Sequence, residues 1–326
     1  MHSLSCCRYF PAFAAALVGL LVAFSASGQA YPSKPIRLVI PFGAGSTADI
    51  IGRLVGEGLS RDLGQQVVVD NKPGAGGTIG AADVARAAPD GYSLVLGTVA
   101  SHGVGPLTMQ NVTYDPVKHF QPITLIANVP SIIAVHASVP VQTLDELVAF
   151  LKANPGYHFT SAGPGTTAHL AGESFAQKLG LKLEHVPYKA AGQAIADTVA
   201  GTVKMIVYQY ASLKSHIEAG VLRPIAAVSA ERIPALPNVP TVAEALVPGF
   251  DFSPWFGIMA PAGTPRHIVD TLHGAVLKAI ESEGMKNQFR AQGMHPVGLG
   301  PDAFHDFMRR DLERWKDVIA RSGLKP

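Results

Sequence analysis

Cysteine is almost missing from this chain of 326 residues: there are two, Cys6 and Cys7, side by side near the amino terminus. Beyond them a disulfide framework, a thiol nucleophile or a cysteine metal site is excluded. Charge is also scarce, with 15% Asp, Glu, Lys and Arg, 26 residues being basic and 24 acidic. No basic stripe or tail stands out, so nucleic acid is not an expected partner. No apolar run after residue 30 is long enough to span a bilayer. The sequence also lacks a Gly-x-Ser-x-Gly elbow, an HExxH helix and a Walker lysine, so three common catalytic frameworks are absent. Against these absences stands a hydrophobic content of 48%, which is globular composition.

The first thirty residues read as a separate material. Arg8 is followed by the uncharged run FPAFAAALVGLLVAFSA, and small residues, Gly28 and Ala30, close the segment. A positive start, a short apolar core and a small-residue end predict a signal peptide over 1–30, cleaved near Ala30, and hence an exported protein. A membrane anchor is the weaker alternative, because the run is short for a spanning helix. Taking Arg8 from the 26 basic residues leaves 25 against 24 acidic, and both cysteines leave with the same segment.

Beyond residue 30, short β-rich runs alternate with stretches of helical spacing. IRLVI (36–40), QVVVD (66–70) and YSLVLG (92–97) come first, and IIAVH, HFTSA, LEHVPY, KMIVY, PIAAVS and WFGIM follow. Such alternation predicts an α/β protein with parallel sheets covered by helices. Helix starts are marked at Thr143-Leu-Asp-Glu146 and Thr241-Val-Ala-Glu244, both capping-box patterns. Thr264-Pro265 reads as a cap followed by a first-turn proline. A last helix is expected from about Pro301, with Phe304, Phe307, Met308, Leu312, Trp315 and Ile319 along one packing stripe. No internal repeat is apparent. Two Pro-rich stretches, near 129–135 and 248–254, look like crossings between lobes, which would build the first lobe from both ends of the chain.

Three glycine-rich loops carry the chemistry. Pro41-Phe-Gly-Ala-Gly-Ser-Thr-Ala-Asp49 leaves a strand and enters a helix. Gly43 and Gly45 allow a sharp turn, Ser46 and Thr47 are candidate caps, and the helix start offers free N–H groups and a positive dipole end to an anion. Thr160-Ser-Ala-Gly-Pro-Gly-Thr-Thr-Ala-His169 has the same physics. Lys72-Pro-Gly-Ala-Gly-Gly-Thr-Ile-Gly80 is the third. One such loop alone is most simply a βα turn; three in one chain, two flanked by Ser and Thr, point to binding. Two loops on separate lobes would grip opposite ends of a short dicarboxylate, each dipole adding roughly 1 kcal/mol.

Other readings of the same residues stay open at this point. Gly43-x-Gly45-x-x-Ala48 with Asp70 matches a relaxed dinucleotide fingerprint, although nicotinamide cofactors are cytosolic. Ser161 or His169 would serve a secreted hydrolase. His169 and Glu173, four apart, would hold a metal, although a helix-start histidine beside a solvated glutamate is the simpler account. Asp49 suits a first helical turn and would either brace the loop or meet the ligand.

An ordered series of motifs across nearly the whole exported portion resembles the Bug family of extracytoplasmic receptors for tripartite tricarboxylate transporters. It runs from YPSKPIRLVIPFGAGSTADIIGR through NKPGAGGTIGA, APDGYSLVLGT, YDPVKHFQPITLIA, SAGPGTTAHLAGESF and HVPYKAAGQAIADTVAG to LPNVPTVAEA, WFGIMAPAGTP and the helix of Trp315. The resemblance implies a two-lobed periplasmic binding protein of the type II-like, Venus-flytrap kind, with the ligand in the inter-lobe cleft. The expected lobes are 31–132 plus 254–326, and 133–253. It implies binding without catalysis, cofactor or metal, and a small organic carboxylate handed to membrane permease subunits. The carboxylate would be a dicarboxylate, a tricarboxylate or an aromatic acid, and a monomer is the simplest state for a hinge-bending receptor. The ligand would be held by Phe42, Gly43, Ala44, Gly45, Ser46, Thr47 and Asp49, by Ser161, Ala162, Gly163, Gly165, Thr166, Thr167 and His169, and by Tyr208 and Gln209. The sequence departs from the family pattern at Ser46, where a second glycine is usual, and around Lys204–Tyr210, where acidic residues are common. The missing acid argues against an amino-acid ligand, whose ammonium wants a negative partner.

Overall fold

A computed structural model describes residues 31–322, so the signal-peptide expectation for 1–30 lies outside the described residues. Strands form where β-branched runs can be covered on both faces. β1 (Ile36–Ile40), β2 (Val67–Asn71), β3 (Ser93–Thr98), β4 (Phe120–Asn128), β10 (Trp255–Pro261) and β11 (His295–Leu299) make one six-stranded sheet in the order β11-β4-β10-β3-β1-β2. β5 (Ser131–His136), β6 (Tyr157–Thr160), β7 (Leu183–Val186), β8 (Met205–Gln209) and β9 (Leu222–Ala227) make a second, five-stranded sheet ordered β7-β6-β8-β5-β9. The chain leaves the first sheet at Asn128, enters the second at Ser131, and returns to the first at Trp255. The two crossings lie side by side, with the Val129 N–H donating to the Pro254 carbonyl at 2.9 Å. This is an α/β fold of the two-lobed periplasmic binding protein type.

The sheets are mixed rather than parallel throughout, which corrects the expectation from alternation. β1 pairs in parallel with β2 and β3, and β6 with β7 and β8. β10 is antiparallel to both β3 and β4, and β5 to both β8 and β9. The reason is where each of these strands comes from. A strand arriving from the other lobe enters its sheet at the edge facing the cleft and runs away from it. Its first residues therefore lie beside the last residues of its neighbours: Phe256 faces Thr98, and Ser131 faces Gln209. Both sheets thus turn the carboxyl ends of their parallel strands toward the cleft, where open α/β sheets bind ligands.

Two strands escape the sequence pattern. β4 contains Pro122 and β11 contains Pro296 and Gly298. Pro122 sits opposite Met259 beside a register shift, where a missing N–H is tolerated. Among the helices, α1 (Thr47–Leu63), α2 (Thr78–Ala85) and a short α3 (Gly105–Thr108) belong to the first half of the chain. α4 (Leu144–Ala153), α5 (Thr167–Leu179), α6 (Ala191–Val199) and α7 (Tyr210–Glu218) alternate with the second sheet's strands. α8 (Val242–Ala245), α9 (Arg266–Glu281), α10 (Glu283–Ala291) and α11 (Pro301–Ser322) follow.

The Thr143 capping box is complete, its hydroxyl accepting from the Glu146 N–H at 3.2 Å and the Glu146 carboxylate reaching back. Thr241 makes only half of its box. Its hydroxyl accepts from the Glu244 N–H at 2.9 Å, but the Glu244 carboxylate pairs with Arg232 instead. Thr264 does not cap α9; its hydroxyl donates to the Pro261 carbonyl at 2.8 Å and Pro265 takes the capping position. In α11, Phe304, Met308, Trp315 and Ile319 are buried and Phe307 and Leu312 half-buried. Asp311, itself buried, accepts from the indole N–H of both Trp255 and Trp315, at 2.6 and 3.1 Å. That shared carboxylate ties the last helix to β10 and so to the first sheet.

Candidate functional site

The loops after β1 and β6 share a turn and a capping pattern, differing in that Gly163 has φ of +126° where Gly43 does not and only Thr166 also donates to the loop, to the Gly163 carbonyl at 2.8 Å. Gly43-Ala-Gly45-Ser-Thr-Ala-Asp49 and Gly163-Pro-Gly165-Thr-Thr-Ala-His169 align residue for residue. Gly45 and Gly165 hold φ of +76° and +72°, a left-handed turn that a Cβ would strain. Ser46 and Thr166 then cap α1 and α5, accepting from the N–H of Asp49 at 3.2 Å and of His169 at 3.3 Å. The N–H of Gly45 goes to Asp49 Oδ2 at 3.0 Å, and the N–H of Gly165 to His169 Nδ1 at 3.3 Å. This local repeat is too short and too substituted to register as a sequence repeat.

That bonding changes which amides face a ligand. The glycine amides at 45 and 165 are used within their own loops. The amides of Ala48, Thr167 and Ala168, in the first turns of α1 and α5, have no acceptor among the described residues. Both helix starts open on one small cavity, lined by Phe42, Thr47 and Ala48 from one lobe and Ala162, Thr166 and Thr167 from the other. Thr98, Ala100, Pro254, Phe256, Tyr208 and Gln209 complete its wall. A second small cavity shares Phe42 and Ala162 with it and adds Gly43, Ser46, the segment Pro73–Gly77 without Ala75, and Lys189, Ala190 and Ala191.

The structure thus places Phe42, Thr47, Ala162, Thr166, Thr167, Tyr208 and Gln209 on the first cavity, and Gly43 and Ser46 on the second. Ala44, Gly45, Asp49, Ser161, Gly163, Gly165 and His169 line neither. Asp49 braces its loop from behind. Burial alone would raise its pKa, but bonds from Arg53, the Gly45 N–H and Asn71 outweigh it and hold the carboxyl below its ordinary range. Asn71 donates to Asp49 Oδ1 at 3.0 Å and to the Phe42 carbonyl at 3.0 Å.

On the second lobe, the His169 and His185 rings pack at a tilt of 41° with centroids 4.2 Å apart. Ser161 Oγ lies 2.9 Å from His185 Nε2. Burial pushes His169 down to about 4 and His185 to about 3, so both rings are neutral at neutral pH. Because His169 Nδ1 accepts the Gly165 N–H, its proton sits on Nε2, which points to Glu173 Oε1 at 3.7 Å. Ser161 is fully buried, so no substrate reaches its hydroxyl and the pair with His185 is structural. No cluster of three metal-ligating side chains occurs among the described residues. Asp70, the acid of the dinucleotide alternative, faces Arg37 at 3.5 Å and Lys72 at 3.8 Å.

The lobes touch across the cleft. Thr47 Oγ1 and Ser212 Oγ are 2.9 Å apart. The buried Tyr208 hydroxyl meets the amide and hydroxyl of Thr47; burial is the larger influence on it and pushes its pKa up, so it stays neutral. Position 208 therefore contributes a neutral hydroxyl bond to the opposite helix start, not a charge.

Several lining residues escaped the sequence reading. Ala100 and Pro254 carry no motif, and Thr98 and Phe256 sit in motifs that mark no ligand contact; strand order brings them in, because β3 lies between β1 and β10. Lys189 to Ala191 fall within HVPYKAAGQ, and Pro73, Gly74, Gly76 and Gly77 within the third glycine segment. A Cβ on Gly76 would lie 3.8 Å from the Gly165 carbonyl, so that segment meets the second lobe's loop directly.

Two lobes on separate sheets, joined by paired crossings and closing on a cavity fed by two helix starts, define a periplasmic binding protein. The sequence profile of the "Tripartite tricarboxylate transporter family receptor" matches residues 51–324, and the chain belongs to that family. It is 34% identical over 317 residues to Protein BugT of Bordetella pertussis, covering 95% of this chain and 97% of that one. The solved structure of R. palustris Rpa4515 with adipate superimposes with a TM-score of 0.88 at 34% identity, over 91% of this chain and 99% of the other. MatC (Rpa3494) from Rhodopseudomonas palustris with bound malate gives 0.83 at 29% identity, over 89% and 100%. The family is one of receptors, and the chain is a solute-binding protein rather than an enzyme. No helix among the described residues is long and apolar enough to cross a membrane.

Proposed function

We propose that this receptor captures a small organic carboxylate between its lobes and presents it to the permease subunits of a tripartite transporter. The carrying observation is the pair of matched loops whose helix starts converge on one cavity lined by no charged side chain. An acid's oxygens fit the unused amides of Ala48, Thr167 and Ala168, and each helix start adds about 0.3–1 kcal/mol of dipole attraction. Phe42, Phe256 and Pro254 give the carbon skeleton an apolar surface. A di- or tricarboxylate or an aromatic acid suits such a wall. The absence of an acidic residue from the lining of both cavities disfavours a ligand bearing an ammonium. The adipate and malate of the two relatives are the first compounds to try.

In this reading the lobes are 31–132 with 254–326, and 133–253. They close by rotation about the paired crossings at Val129–Pro130 and Pro254, and the closed form is what the permease reads. The protein is exported with its leader cleaved near Ala30 and acts in the periplasm as a monomer. Isothermal titration with dicarboxylates, tricarboxylates, aromatic acids and acidic amino acids tests the ligand class, with mass spectrometry of the recovered ligand. Saturable binding of an organic acid recovered unchanged is the expected result. Binding confined to glutamate or aspartate, or no acid bound at all, refutes it.

A further inference from the structure

Met109 follows α3, in the stretch between β3 and β4 of the first sheet, and its backbone stands on a fixed base. A π-helical turn, Ala100–Val104, runs straight into α3 and is buried throughout. Tyr114 donates its hydroxyl to the Ser101 carbonyl in that turn. A Cβ on Gly105 would lie 2.5 Å from the Ala100 carbonyl oxygen and 2.9 Å from the Thr78 methyl group, so the turn presses onto α2. The Met109 N–H still donates to the Gly105 carbonyl at 2.9 Å, and the residue is then extended, with φ of −111° and ψ of 139°. On this base sits an unbranched, adaptable side chain.

Its methyl group fills a socket that only glycine leaves open. A Cβ on Gly76 would come within 2.7 Å of that methyl carbon, and a Cβ on Gly165 within 2.6 Å, closer than carbon atoms pack. Gly76 precedes α2 on the first-sheet side of the cleft, and Gly165 precedes α5 on the second-sheet side. The Thr108 hydroxyl is also near Gly165 but already donates to the Val104 carbonyl at 2.9 Å, so the contact across the cleft is apolar. Met109 lines neither cavity, and so acts on binding through the lobes and not by touching a ligand. Its distance from the crossings gives it leverage. Tyr210, at the end of β8, donates its N–H to the Pro130 carbonyl at 3.1 Å and so lies beside a crossing. β6, which carries the Gly165 loop, lies beyond β8 and two strands from β5, roughly 10 Å away at ordinary strand spacing. Rotation about the crossings separates Met109 from Gly165 while the contacts at the crossings hardly move.

We propose that Met109 is the latch of the closed receptor: its methyl group seats between Gly76 and Gly165 only when the lobes meet, and a captured solute leaves only after it withdraws. Met109 is therefore a positioning residue that sets how long the solute stays, and not how fast it arrives, because the open cleft has no socket to block. This rests on the closure by rotation described above and adds to it the contact that holds the closed form.

The chain has no cysteine beyond residue 7, so dyes on Lys178→Cys and Glu281→Cys, both exposed and on opposite lobes, report lobe separation by energy transfer. Stopped-flow mixing with adipate or malate then reads association and dissociation separately. Met109→Ala is expected to raise the dissociation rate by about tenfold, as loss of two buried methylene-sized groups from the closed form gives, with the association rate unchanged within about twofold. Met109→Leu, of similar volume, restores the slow dissociation. A general loss of packing would not divide the two rates in this way. Unchanged dissociation in Met109→Ala overturns the proposal, as does a fall in association as large as the rise in dissociation, or a leucine variant as fast as the alanine. If an acid binds but the lobe separation does not change, closure by rotation fails and the latch with it. If neither acid binds, the carboxylate reading fails on its own account, and the latch is judged on the ligand-free protein: Met109→Ala then lowers the closed fraction, and an equal fraction in both overturns it.

Discussion

Replacing Thr166 by valine changes one oxygen for a methyl group at the hinge of the second loop. The Thr166 hydroxyl accepts from the His169 N–H at 3.3 Å and donates to the Gly163 carbonyl at 2.8 Å. Loss of the cap costs about 1 kcal/mol. The Gly163 carbonyl keeps only longer bonds, from Ser161 Oγ at 3.3 Å and the Thr166 N–H at 3.4 Å, which adds roughly 0.5 kcal/mol. A total near 1.5 kcal/mol lowers the melting temperature by roughly 2–3 °C in a protein of this size. The ligand sees a different effect. Because both faces of the hydroxyl are used within the loop, Thr166 positions the α5 amides rather than donating to the ligand. Loosening them should weaken acid binding by about tenfold, the equivalent of one good hydrogen bond to a charged group. Thr166→Ser keeps both bonds and should behave as the unaltered protein. Differential scanning fluorimetry and titration with the best-binding acid measure both quantities. If Thr166→Val keeps the original melting temperature and affinity, or if the serine variant loses as much as the valine, the positioning argument is wrong.

Asp49→Asn removes the charge that Arg53 and the Gly45 N–H share, and should destabilise by about 2 kcal/mol in urea unfolding; an additive effect with Arg53→Ala would show that the two do not act together. Gly165→Ala forces a Cβ into a φ of +72° and to 2.6 Å from the Met109 methyl group of the opposite lobe, so acid affinity should fall by more than the melting temperature implies; an unchanged dissociation constant would show that the lobes do not close on that contact. Acidification should also weaken the fold. His102 and His169 are held by burial at about 3 and about 4, against an ordinary value of 6.5. Between those values the unfolded chain binds more protons, so stability is full above about pH 6.5 and falls as pH drops, by up to about 1.4 kcal/mol per unit for each ring. His169→Gln should flatten that slope, and a slope unchanged by the substitution would place the cause elsewhere.

Local physics was legible in the residues themselves. IRLVI had to be a strand, because a β-branched run of that length cannot hide its side chains otherwise. Ser46 and Thr166, each following a glycine pair, had to start helices, because hydroxyls at those positions satisfy amides that nothing local else would. The motif series, read together, identified the family before any coordinates. The orientation of β5 and β10, the bonding that consumes the Gly45 and Gly165 amides, and the withdrawal of Asp49, Ser161 and His169 behind the walls were not legible. Nor were Thr98, Phe256 and Lys189 as cavity residues. These depend on which strand lies beside which and on how two lobes meet. Such contacts join residues a hundred or more positions apart, as Thr47 with Ser212, and no short-range pattern encodes them. What the sequence determined by itself was each helix start; that two of them face a single space was decided only when the chain crossed between its sheets and came back.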